Sequence, residues 1–195
     1  MSHQIHQNNG SIQFTDNKSS VGAPKQPASG SVTAKHEQFG PICKTTLTLD
    51  NVGQTVVNGT EYQSTQIYDF PEGRILVLGA IGRLQQKTTS ALASTLNASV
   101  TGAISLGTAA ASSTTLSSTM VDLLPSTAFT SSATINVPGA AVTAALAASA
   151  QFDGTGTAKD VFLNTAYATT TDVDANATQT ISGTITITWI NLGDY

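Results

Sequence analysis

The sequence predicts an all-β fold: an antiparallel β-sandwich or jelly-roll body preceded by an extended N-terminal arm. Charged residues make up only 10% of the chain, against about 25% in typical soluble domains. Ser and Thr supply the polarity instead, and Thr favours strands because of its β-branch. Short apolar–polar alternations recur between turn signals, which is typical of a sandwich with roughly seven to ten strands.

The clearest strand is the last one, TQTISGTITITWINLGDY at residues 178–195. One parity of this stretch holds its large apolar residues, Ile181, Ile185, Ile187 and Trp189. Such a period of two predicts a strand with one buried face. We expect these four residues and Tyr195 to lie in the core or at a subunit interface, and the core is favoured for Trp189.

The first part of the chain differs in composition from the rest. Residues 1–38 are polar, contain Pro, Gly and Ser, and have few large apolar side chains. Such a segment cannot bury enough apolar surface to offset the conformational entropy that it loses when it becomes ordered. It is either a flexible tail or an arm that orders against a partner through Ile5, Ile12 and Phe14. The β-sandwich or jelly-roll domain is predicted to cover residues 39–195.

Turn signals divide the beginning of the body. The stretch DNVG at residues 50–53 and the pair Asn58-Gly59 offer residues that tolerate positive φ, and Asn-Gly favours a tight hairpin. A further turn is predicted at PEG, residues 71–73. The apolar run RILVLGAIGRL at residues 74–84 then predicts a buried strand, in which Gly79 and Gly82 indicate a bend or a close approach of another segment.

The Ala-, Ser- and Thr-rich middle of the chain has the weakest pattern. Strands are predicted near residues 95–106, 115–124, 132–137 and 158–168. Residues 140–150 fit a short helix by their Ala content, but the neighbouring strands favour a strand there too. The topology of residues 88–151 stays open at this point.

The pattern of chemically reactive residues argues against an enzyme. All three histidines lie in the predicted arm, where nothing would hold a general base beside a nucleophile. No G-x-S-x-G motif is present, and the glutamates of the body, Glu61 and Glu72, lie near predicted turns. No catalytic residue and no cofactor are therefore predicted.

Metal sites are also disfavoured. Cys43 is the sole cysteine, so no internal disulfide can form, zinc lacks a ligand set, and the thiol is expected to be a small buried hydrophobe. The loop DGTGTAKD, Asp153 to Asp160, and the pair Asp172 and Asp174 offer oxygen ligands for calcium. Neither has the spacing of an EF-hand loop, and no metal ligand is assigned.

Charge and hydropathy exclude two classes of partner. Beyond Lys87 the only cation is Lys159, so no cationic cluster could displace counterions from nucleic acid. No apolar run approaches the roughly 18 residues of a membrane span. The N-terminal residues lack the pattern of a secretory signal, so we expect synthesis in a cytoplasm without secretory export.

Two segments near the C-terminus resemble a known family. DGTGTAKDVFLNTAYA at residues 153–168 and TISGTITITWINLGDY at residues 180–195 are similar to the C-terminal half of capsid decoration (cement) proteins of tailed bacteriophages. The similarity is most specific in GTITITWINLGDY and in DGT-x-T-A-K-D-V-x-L-N.

The resemblance implies a structural virion protein on the exterior of an icosahedral capsid, made in the host cytoplasm. It implies a homotrimer that binds the major capsid protein and bridges neighbouring capsomers, with the arm ordering on the shell. Ile5, Ile12 and Phe14 would then anchor the arm. The alternative is a head-fibre or tail-associated trimer that binds a receptor or glycan. Host, copy number and capsid position are not determined by the residues.

Overall fold

The computed structural model describes residues 21–92, 99–146, 150–168 and 172–193, and the backbone of residues 4–8 and 11–15. In chain order its strands are β1 Gln4–Asn8, β2 Ser11–Thr15, β3 Ala23–Pro24, β4 Ser31–Phe39, β5 Ile42–Val56, β6 Tyr62–Asp69, β7 Gly73–Thr88, β8 Thr101–Gly107, β9 Leu124–Thr130, β10 Val142–Ala145, β11 Ala150–Gly154, β12 Asp160–Tyr167 and β13 Ala177–Asn191. A single 3₁₀ turn, Ser118–Met120, interrupts this strand series within the described residues.

Two antiparallel sheets pack against each other and share one core. The larger sheet has the order β10-β7-β13-β5-β4, and β11 also pairs with β7. The smaller sheet has the order β3-β6-β12-β8-β9. A continuous cluster of buried apolar residues is contributed by both sheets. The predicted all-β sandwich is therefore confirmed.

The last strand is ordered because it lies in the centre of the larger sheet. β13 pairs with β5 on one side and with β7 on the other along most of its length. Ile181, Ile185 and Ile187 are completely buried. Trp189 is 1% exposed, and its indole N–H donates to Thr45 Oγ1 at 3.0 Å. Trp189 thus belongs to the core, and Tyr195 lies outside the described residues.

The predicted boundary between residues 38 and 39 differs from the structure. β4 pairs with β5 from Ser31 to Phe39, and β3 pairs with β6 of the smaller sheet. The short period-two pattern of β4 is easily overlooked, because Val32 is its only completely buried side chain. The sandwich therefore includes the predicted arm from β3 onward.

The turn predictions had mixed outcomes. No turn forms at residues 50–53, because β5 continues through them with a bulge in its pairing, and Asn51 adopts a φ of 49°. The turn at Asn58-Gly59 is present, but it connects β5 of one sheet to β6 of the other and so is not a hairpin. The turn before Gly73 likewise joins the two sheets.

The middle of the chain contains the wrong strand predictions. Residues 115–124 form mostly bends and the 3₁₀ turn, residues 132–137 form a loop, and the strand between them is β9. Ser and Thr hydroxyls bind nearby backbone groups here and so compete with strand pairing; Ser113 Oγ donates to Thr115 O at 2.8 Å, for example.

The other strand predictions agree better with the structure. β8 covers the end of the strand predicted at 95–106, whose residues 95–98 lie outside the described part of the chain. The described residues of 140–150 contain strand residues and no helix, and the strands predicted at 74–84 and 158–168 are confirmed as β7 and β12.

Candidate functional site

The N-terminal segment contains a two-stranded ribbon, β1 with β2, which is a sheet separate from the sandwich. Its register pairs Ile5 with Phe14 and Gln7 with Ile12. Directly opposed residues and residues two apart along a strand share one face of a sheet. The three arm anchors predicted from the sequence therefore occupy positions on the same face of the ribbon.

The ribbon is joined to the sandwich at a defined place. Ala23 pairs with Asp69 at the edge of the smaller sheet, and β3 also contacts β4 of the larger sheet. Lys25 Nζ lies 2.6 Å from Asp69 Oδ2, which fastens the chain just after β3. The chain therefore joins the sandwich at β3, beside the β4 edge.

The outer face of the larger sheet carries an apolar row across four strands. Phe39 of β4 lies opposite Ile42 of β5, which lies opposite Ile190 of β13, which lies opposite Leu76 of β7. The residues that precede or follow them along β5, β7 and β13 are buried, so the row faces outward. Phe39 is 65% exposed.

Two further side chains on β7 extend this row. Leu78 is 44% exposed, at an irregularity in the pairing of β7 with β13, and Ile81 is 52% exposed. Scattered exposed apolar side chains are ordinary, but a contiguous set marks an interaction surface. We call the whole set the apolar patch: Phe39, Ile42, Leu76, Leu78, Ile81 and Ile190.

Polar residues surround the patch on the same face. Thr46 and Thr186 lie opposite each other with their hydroxyl oxygens 3.4 Å apart. Glu37 accepts from Lys35 at 3.0 Å and from Lys44 at 3.1 Å, and these two ammonium groups lower the pKa of its carboxyl. Exposed pairs of this kind add little stability, so they act mainly as a solvated rim.

A hydrogen-bonded network of polar side chains crosses the interior between the sheets. Gln179 donates to Gln54 Oε1 at 3.1 Å and to Thr165 Oγ1 at 2.9 Å, and it accepts from Gln86 at 3.0 Å and from the Tyr167 hydroxyl. Burial raises the pKa of Tyr167. The network is closed to solvent, because all five residues are buried. It therefore fixes the pairing of the two sheets rather than offering a reaction site.

A second buried polar residue organises the long loop between β8 and β9. Asn164 of β12 is 0% exposed and donates to Ala109 O at 3.0 Å and Met120 O at 2.9 Å. Its Oδ1 accepts from Ser64 Oγ at 2.6 Å and Ala111 N at 3.0 Å. The sequence did not reveal this role, because a lone Asn inside a strand pattern carries no signal of its loop partners.

The two ends of the acidic loop considered for calcium, Asp153 and Asp160, belong to different sheets. Asp153 Oδ1 accepts from the N–H and hydroxyl of Thr155, which lowers the pKa of Asp153. Asp160 is on β12 opposite Asp69, and burial together with that neighbouring carboxyl raises the pKa of Asp160. Within the described residues, no group of three or more His, Cys, Asp or Glu side chains is placed to hold a metal ion.

Cys43 is buried and His36 is partly buried. Burial raises the pKa of the Cys43 thiol, as expected for a core cysteine. His36 is not in an arm but on β4, where its Nδ1 lies 3.1 Å from Thr45 Oγ1 and burial lowers its pKa.

A shallow depression of about 300 Å³ is lined by Arg74, Gln151, Phe152 and Asp153.

The described residues contain no helical segment with the length and hydropathy needed for a bilayer crossing. The chain matches no protein-family model and no curated protein.

Proposed function

We propose that this chain is a structural virion protein that decorates and stabilises an icosahedral phage capsid. It acts as a homotrimer on the capsid exterior, binds the major capsid protein, and uses its N-terminal ribbon to bridge neighbouring capsomers. The observation that carries this proposal is the ribbon: a separate sheet whose register collects Ile5, Ile12 and Phe14 on one face. The resemblance of residues 153–168 and 180–195 to decoration proteins supports it.

Energetics favour attachment for such a ribbon. An isolated two-stranded hairpin is marginal in water, so this one gains stability by burying its apolar face against another surface. Complete burial of one large apolar side chain contributes about 1.5–3 kcal/mol, from which the cost of association is subtracted. Each contact is therefore weak alone, and many copies on one shell act together through avidity.

Sedimentation with particles tests the proposal. The full chain and a chain beginning at Val21 are expressed in the producing system and followed through a density gradient. The cut precedes β3, because a cut near Phe39 would remove an edge strand of the sandwich. We expect the full chain to band with capsids and the truncated chain to remain at the top.

A matched pair of full-length variants separates the apolar face from the rest of the ribbon. Ile5→Ser with Phe14→Ser is expected to reduce banding, whereas His6→Ser with Gln13→Ser, another opposed pair in the register, is expected to leave it unchanged. If the full chain bands with no large assembly, the decoration function is wrong.

The alternative is a head-fibre or tail-associated trimer that binds a receptor or glycan. The depression lined by Arg74, Gln151, Phe152 and Asp153 supports this alternative, because Arg74, Gln151 and Asp153 offer hydrogen-bonding groups for a polar ligand. A glycan screen of the chain beginning at Val21 distinguishes the two functions. Specific binding that Arg74→Ala abolishes would support the alternative.

A further inference from the structure

We propose that the apolar patch on each copy of the chain is the binding site for the N-terminal ribbon of a neighbouring copy. The proposal rests on the proposed function in one respect, since it takes the ribbon as the attachment segment. It goes further by naming the partner of the ribbon, a second copy of this chain, and the surface that the ribbon covers.

The patch is exposed in the single chain. Phe39, Leu78 and Ile81 are 65%, 44% and 52% exposed. The patch spans four adjacent strands and continues along β7. A contiguous apolar surface of this kind marks an interaction site in a soluble domain.

The ribbon matches the patch in size. Each of its strands has five residues and is therefore about 17 Å long, and the two together are about 5–10 Å wide. The patch measures about 14 Å across its four strands and about 17 Å along β7 from Leu76 to Ile81. A two-stranded ribbon laid on this face covers most of it.

The ribbon also matches the patch in chemistry. Ile5, Ile12 and Phe14 share one face in the register, and they would lie against Phe39, Ile190 and neighbouring residues of the patch. Apolar surface on both sides leaves water on contact, and an aromatic residue on each side adds favourable ring packing. None of the six patch residues is charged. The charged side chains beside the patch, Lys35, Glu37 and Lys44, pair with one another, so contact leaves none of these charges unpaired.

The first strand of the sandwich lies beside the strand that begins the apolar row. β3 contacts β4, and Phe39 at the end of β4 begins the row. Residues 16–22 span at most about 25 Å when extended, which limits how far the ribbon can lie from β3. A ribbon-to-patch contact joins two different surfaces, so it can repeat from copy to copy. It would thereby link copies of the chain that sit on neighbouring capsomers.

Photo-cross-linking of the full chain in solution, without capsids, tests this contact. Phe39 is replaced by p-benzoyl-phenylalanine, and isotopically light and heavy chains are mixed before irradiation. We expect a product of at least dimer size in which tryptic peptide 1–18 of one isotope is joined to the labelled strand of the other. The control carries the same group at Thr33, which is exposed on β4 outside the patch, and should give little of this product.

Each other result overturns the inference. A cross-link within one chain would mean that the patch holds its own ribbon. A dimer joined without peptide 1–18 would mean that patches pair with each other, and the absence of any cross-link would mean that no copy occupies the patch.

A second measurement uses variants and light scattering. Leu78→Glu should weaken self-association by about tenfold or more, as expected for a central contact residue, whereas Thr184→Glu on the same face outside the patch should not. The truncated chain beginning at Val21 should be monomeric. If the full chain is monomeric yet still bands with capsids, this inference fails while the proposed function stands.

Discussion

Asn164 should be the polar residue on which the order of the β8–β9 loop depends most strongly. Its side chain is completely buried and makes four hydrogen bonds, to Ser64, Ala109, Ala111 and Met120. Asn164→Ala removes all four and leaves the segment 108–123 without its main link to β12. The loop backbone groups would then lose their hydrogen bonds to Asn164, and a small cavity would remain in place of its side-chain amide.

The loss of unfolding free energy in Asn164→Ala depends on which of the four partners keep another hydrogen bond. Ala111 N still donates to Ser64 Oγ at 2.6 Å, and Met120 O still accepts from Ser105 Oγ at 2.8 Å. Ala109 O is partly buried and loses the Asn164 donor, so it bears part of the roughly 1–3 kcal/mol that an unsatisfied buried group costs. With the net loss of the other bonds, at about 0.5–1.5 kcal/mol each, we expect Asn164→Ala to lower the free energy of unfolding by about 3 kcal/mol.

Urea unfolding measures the total loss, and hydrogen exchange measures where it occurs. Amides of residues 108–123 should exchange faster in Asn164→Ala, while those of β13 should change only by the global loss. Ser113→Ala is the matched control, because its hydroxyl bonds only within an exposed part of the same loop. A loss below about 1 kcal/mol, or uniform exchange over the chain, would refute this account of Asn164.

The variant Asn164→Asp adds a pH signature. A carboxylate would face the carbonyl oxygens of Ala109 and Met120, which cannot donate to it, so the folded state should raise the pKa of the new carboxyl. Its destabilisation should therefore be greatest at neutral pH and shrink as the pH falls and the carboxyl becomes protonated. Urea midpoints at several pH values test the sign.

Other substitutions test the packing and the acidic pair. Gly82→Ala would place a Cβ 2.7 Å from Leu124 Cδ1, so we expect the free energy of unfolding in urea to fall by about 1–3 kcal/mol. The control is Gly79→Ala, whose Cβ meets nothing within 4 Å and which should be nearly neutral. Burial and Asp69 raise the pKa of Asp160 in the folded state. The Asp160 carboxyl therefore contributes most to stability when the pH is below its pKa in the unfolded chain. This contribution is lost as the pH rises through its pKa in the folded chain. Asp160→Asn should therefore be at least as stable as the unsubstituted chain at pH 7 and should lose this advantage at acidic pH. If the variant is less stable at pH 7, the repulsion between the Asp160 and Asp69 carboxylates is not destabilising as argued.

Several elements of the fold follow from local pattern. The alternation around Ile185 and Trp189 predicts β13, and the apolar run at residues 74–84 predicts β7, because one face of each strand has to be buried. The same logic fails where hydroxyl side chains satisfy the backbone without strand pairing, as in residues 115–124.

Part of the candidate site was also accessible from the sequence. Ile5, Ile12 and Phe14 stand out as the sparse large apolar residues of a polar segment. Their common face was not accessible, because it depends on the register of β1 with β2. A shift of that register by one residue would place Ile12 and Phe14 on the face opposite to Ile5.

The sequence by itself determined the all-β class, the central apolar strand at the C-terminus and the buried state of Cys43, since each depends on composition or on a local period. Only the tertiary structure decided that β4 belongs to the sandwich and that Phe39, Ile42, Ile190 and Leu76 form one row. These residues are far apart in the chain, and no local preference records which strands become neighbours. Strand order and register arise when two sheets bury their shared apolar faces, so surfaces assembled across strands appear only in the folded chain.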